Sequence, residues 1–158
     1  MLFWFIATAV LTIDFVFTDP RFDYRLLIVG ATVPAITDAI GGWATVVSSV
    51  TFAAGVLVIV MFATMGQRER RRLMLGLPIG LLLHMVFSGA FVTTLVFWWP
   101  FAGVDLAAAP SLLWQRGLIS LVLEAVGILG CRHIIRRSHL REPEHRREFL
   151  STGRLEMR

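Results

Sequence analysis

Apolar residues run through this chain in long blocks divided by short polar stretches. An α-helix rises 1.5 Å per residue, so about 20 apolar residues cross the hydrocarbon core of a bilayer. Residues 2–18 form the first block, slightly short and with Asp14 near its end. TDPRFDYR, 18–25, follows as a polar turn whose Asp-Pro stops the helix. LLIVGATVPAITDAI, 26–40, is apolar but contains Pro34 and runs into two glycines, which suits a short tilted span or a re-entrant helix. Residues 43–65 read as one span, QRERRR at 67–72 as a charged loop, and 73–99 as another span ending in Trp98-Trp99-Pro100. A loop at 100–115 holds two prolines and Asp105, and 117–135 is the last span. The pattern predicts an all-α, polytopic transmembrane helical bundle of four to five membrane helices over 1–135, with five the preferred count. Residues 136–158 follow as a basic cytoplasmic tail.

Composition sharpens this picture. Of 158 residues, 56% are hydrophobic, and the mean hydropathy is +0.73. A soluble domain needs more charged surface to meet water. All 15 basic residues are arginine, which excludes lysine Schiff-base and lysine-nucleophile chemistry. The single cysteine, Cys131, excludes an internal disulfide and a cysteine-only metal cluster. Four arginines lie in 67–72 and eight from Arg132 onward, so the positive-inside rule puts both segments in the cytoplasm of a plasma-membrane protein. The 100–115 loop then faces outward, with Trp98, Trp99 and Trp114 as interfacial anchors. The basic excess suits anionic headgroups at the cytoplasmic face and not nucleic acid. The first residues lack the basic start of a signal peptide, and only six residues precede ATA at 7–9, so they read as a retained span. In the tail, Pro143 is placed to begin a helix and Glu142 to pair with Arg146 at i+4. The tail reads as solvated near headgroups, with a docking helix for a cytoplasmic partner as the sharper alternative.

Four ionisable residues fall within the blocks: Asp14, Asp38, His84 and Glu124. An aspartate at mid-span costs roughly 2.5–3.5 kcal/mol to insert, so such residues should face the bundle interior. Helical spacing agrees. Gly76, Gly80, His84 and Ser88 share one face; Gly117, Ser120, Glu124, Gly127 and Cys131 form a second; Ala31, Ala35 and Asp38, with Ala39 beside them, form a third. Small residues at such spacing let helices approach, and a polar group then meets a partner across the gap. The faces predict one internal polar cluster of His84, Glu124 and Asp38. Packing glue accounts for such stripes more simply than chemistry does. No HExxH, P-loop, GxSxG or CxxC pattern occurs. His133, His139 and His145, at six-residue intervals, do not share a helix face.

FVFTDPRFDYRLLIVGATVP, LPIGLLLHMVFSGAF, FWWPFAG and LEAVG resemble a small actinobacterial membrane-protein family. That family in turn looks related to the YdjM-like predicted membrane-bound metal-dependent hydrolases. The resemblance implies an intramembrane cluster of Asp and His ligands for a divalent metal. In the hydrolases the motifs are Pro-Asp-x-x-Asp or Pro-Asp-x-Asp, a His-Ser pair, and His-x-x-x-Asp. The corresponding segments read Pro34-Ala35-Ile36-Thr37-Asp38, Ser48-Ser49, and His84 with Ser88. Ligands are therefore replaced at Ala35, Ser48 and Ser88, and Asp38 and His84 remain as metal candidates, with Glu124 as a third ligand or general base. A hydrolytic metal needs about three protein ligands and an open water position. The preferred expectation is a non-catalytic membrane protein with a polar remnant of a metal site, perched among partners that include a second copy of the chain or another membrane protein. A membrane-bound hydrolase acting on a lipid-linked or phosphorylated substrate is the alternative, and a proton-coupled transporter relaying through Glu124 and His84 the third.

Overall fold

The computed structural model describes residues 1–17, 22–40, 44–92, 94–102 and 117–155. Among them the regular elements are all helical. In chain order these are α1 (Leu2–Val16), α2 (Tyr24–Ile40), α3 (Ala44–Val47), α4 (Val50–Ala63), α5 (Arg68–Met74), α6 (Gly76–Ser88), a 3-10 turn at Ala90–Val92, α7 (Thr94–Phe97), α8 (Leu118–Arg137) and α9 (Pro143–Thr152). Two stretches, Arg68–Ser88 and Leu118–Arg137, are long and apolar enough to cross a membrane, while Leu2–Val16 and Val50–Ala63 are shorter apolar helices.

Several boundaries differ from the sequence reading, each for a local reason. The 43–65 block is two helices, because Ser49 stops one and starts the next. Its hydroxyl donates to the Val46 carbonyl at 2.7 Å and accepts the Phe52 N–H at 3.1 Å, as an N-cap does. The charged 67–72 loop is helical instead, forming most of α5, since Arg and Glu are good helix formers. The block at 73–99 breaks at Gly89, whose φ of 67° ends α6 in the left-handed conformation that glycine adopts without strain. Trp98 is exposed, and the Trp99 carbonyl accepts the Thr51 hydroxyl at 2.7 Å. Asp19-Pro20, Gly41-Gly42, Asp105 and Trp114 lie outside the described residues.

Two glycine-mediated pairs set the architecture. Helices α2 and α6 run parallel in the most extensive interface. A Cβ at Gly30 would strike the Leu77 carbonyl, and one at Gly80 the Leu27 carbonyl, so only hydrogen fits at these backbone crossings. Helices α1 and α8 also run parallel: Gly127 lies against Phe3 and Trp4, Gly130 against Ala7, and Arg137 against Asp14. Helix α1 opposes α6 in direction, since Trp4 meets Phe87 and Phe5 meets His84. Consequently the end of α1, the starts of α2 and α6 and the end of α8 gather at one end of the bundle. The main core, including Val10, Ile13, Leu27, Ala31 and Ile134, lies between these helices.

Candidate functional site

On α6 the predicted stripe of Gly76, Gly80, His84 and Ser88 is buried throughout. The glycines bring the α2 backbone close enough for His84 Nδ1–H to donate to the Ala31 carbonyl at 2.8 Å. Pro34, in the next turn of α2, lacks the N–H that would bond the Gly30 carbonyl four residues back, one residue before the carbonyl that His84 meets. The imidazole is 5% exposed and lies against Phe5, with ring centroids 4.0 Å apart and planes inclined by 39°. Ser88 turns its hydroxyl to the Met85 carbonyl at 3.2 Å, on its own helix.

The other predicted members lie elsewhere. Glu124 sits on α8 at the start of α1, with its carboxylate 3.4 and 3.5 Å from the Phe3 and Trp4 N–H groups. The N-terminal amine is 3.5 Å away. A helix start carries unsatisfied N–H donors and partial positive charge, which Glu124 answers from the neighbouring helix. Asp38, half-buried, is seven residues past Ala31 on α2, roughly 10 Å farther along the axis than the His84 contact. Ala35 and Ser48, at expected ligand positions, are buried. A neutral His84 donating from Nδ1 keeps its lone pair at Nε2, and metal-binding histidines are often oriented by just such a carbonyl. Among the described residues no three His, Cys, Asp or Glu side chains are grouped for a metal ion.

A second polar node is not evident from residue spacing, because its halves are about 125 residues apart. Asp23, only 5% exposed, stands directly before α2. Its carboxylate accepts the Arg25 backbone N–H at 2.9 Å and holds the guanidinium through Nε at 3.2 Å and Nη2 at 3.0 Å. Arg25 Nη1 then donates to the Leu150 carbonyl at 2.8 Å and the Ser151 carbonyl at 3.4 Å, at the end of α9. The Tyr24 N–H donates to the Gly153 carbonyl at 2.9 Å. Unsatisfied donors at the start of α2 thus meet unsatisfied carbonyls at the end of α9, and the two helix dipoles attract. Leu155 is buried with Tyr24 and Ile134, so the tail is docked at this point and not wholly solvated. Pro143 begins α9 as expected, but the Glu142 carboxylate faces His145 at 3.2 Å and His139 at 3.9 Å in place of Arg146. An Asp before the first helical residue and a Gly after the last are the sequence signals for this node.

Comparison of the chain with family models, curated proteins and solved structures gives no match.

Proposed function

We propose that this chain is a five-span plasma-membrane protein with its N-terminus outside and its C-terminal tail in the cytoplasm. It acts as a non-catalytic subunit or scaffold of the cell envelope, and His84, Asp38 and Glu124 descend from a metal site without forming one. The observation that carries this reading is the use made of His84: its donor and its ring face serve the contact between α6, α2 and α1. The membrane setting is supported by α8, in which Gly127 and Ile134 are the buried residues while Leu118, Ile119, Leu121, Val122 and Leu129 are exposed. Such a face suits acyl chains and not water. The arginines of α5 and of α8 onward support the orientation.

Metal content by mass spectrometry, on protein purified in detergent after supplementation with zinc, manganese and iron, tests the reading. The wild type and the His84→Ala and Asp38→Ala variants should all contain far less than stoichiometric metal. Near-stoichiometric metal in the wild type that both variants lose would overturn the proposal in favour of a metal-dependent hydrolase.

A further inference from the structure

We propose that the inner end of α8 binds the phosphate of an anionic phospholipid through Arg132, His133 and Arg136. The inference deepens the membrane reading above and rests on it. Along one face of α8, Leu118, Val122, Val126 and Leu129 are exposed. The next residues on that face, at helical spacings of three and four, are Arg132, His133 and Arg136. These three and Leu129 line an open cavity of about 420 Å³. The face is therefore apolar for its first three turns and basic where the helix leaves the apolar block, the same order as acyl chain and headgroup.

Charge and geometry select the ligand. Among the described residues neither Arg132 nor Arg136 is ion-paired, whereas the adjacent Arg137 takes Asp14 at 3.9 Å. Two guanidinium groups one turn apart can fork onto phosphate oxygens, which a compact ammonium cannot do as well. The carbonyl end of a helix disfavours an anion, so binding must come from these side chains and not from the backbone. A zwitterionic lipid offers the same phosphate but brings a cation against the arginines. Free phosphate lacks the chain that Leu129 and the residues before it would cover. Basic pockets beside spans on the cytoplasmic side suit anionic headgroups for these reasons.

Native mass spectrometry of the full chain in detergent, titrated separately with phosphatidylglycerol, phosphatidylcholine and inorganic phosphate, tests the site. The wild type should retain phosphatidylglycerol at least tenfold better than either other probe. Arg132→Gln with Arg136→Gln should weaken phosphatidylglycerol about 30-fold, from about 1 kcal/mol per arginine. Arg146→Gln with Arg147→Gln removes equal charge from α9 and should leave binding unchanged. Equal retention of phosphatidylcholine, equally tight inorganic phosphate, or equal losses in the two double variants would overturn the proposal. The first would mark apolar association blind to headgroup charge, the second a site for soluble phosphate, and the third diffuse attraction to basic charge. Protein that stays monodisperse in water without detergent would sink the membrane reading and this site with it. Protein that needs detergent but shows no lipid preference sinks this site alone.

Discussion

Gly80 and His84 stand one turn apart on α6 and hold it against α2 by different means. Gly80 contributes an absence: a methyl there would meet the Leu27 carbonyl and, at 2.8 Å, the Ala31 nitrogen, both backbone atoms that cannot swing aside. His84 contributes one hydrogen bond and a ring contact. Interhelical hydrogen bonds in membranes average about 0.6 kcal/mol, whereas overpacking a tight interface costs about 1–3 kcal/mol. Gly80→Ala should therefore destabilise more than His84→Leu, despite the smaller change in polarity. Thermal melts in detergent check the order, and a larger loss in His84→Leu would show that the histidine does more than pack. The stripe itself was readable from spacing alone. The acceptor was not, because Ala31 engages through a carbonyl that every residue carries. The close approaches at Gly30 and Gly130 were not legible from the sequence, because neither stands in a polar stripe.

Among the elements, α9 owes its place to the two residues that flank Tyr24. Gly153 has a φ of 72° and lies so near the Asp23 carboxylate that a Cβ would collide with it. Gly153→Ala combines that collision with a left-handed penalty of about 1–2 kcal/mol. It should free the tail while leaving α1, α2, α6 and α8 assembled. Limited proteolysis should then cut near Arg146 and Arg147 much faster than in the wild type, with little change in the main melting transition. Unchanged cleavage would mean that the Asp23–Arg25 node does not hold the tail. Apolar blocks announced the long helices because an extended apolar run between polar stretches is too long for a strand and hides its backbone most readily as a helix. The break at Ser49 was hidden because a serine in an apolar run packs equally well mid-helix, and its capping role depends on the backbone around it.

For the molecule as a whole, the parallel pairs place the arginine-rich segments at one end. With Cys131→Ser as background, Phe101→Cys should react with an impermeant maleimide on intact cells, and Glu144→Cys only after permeabilisation. Labelling of Glu144→Cys on intact cells would invert the proposed orientation. The docking of the tail was the least legible feature, since it joins distant segments and neither segment alone reports its partner. That distance also orders assembly in time. Asp23 and Arg25 leave the ribosome early, while the carbonyls they await at Leu150, Ser151 and Gly153 are made only after every long helix has been synthesised. Until then the start of α2 has no docked α9 to receive its donors, and closing this joint is among the last steps by which the chain becomes native.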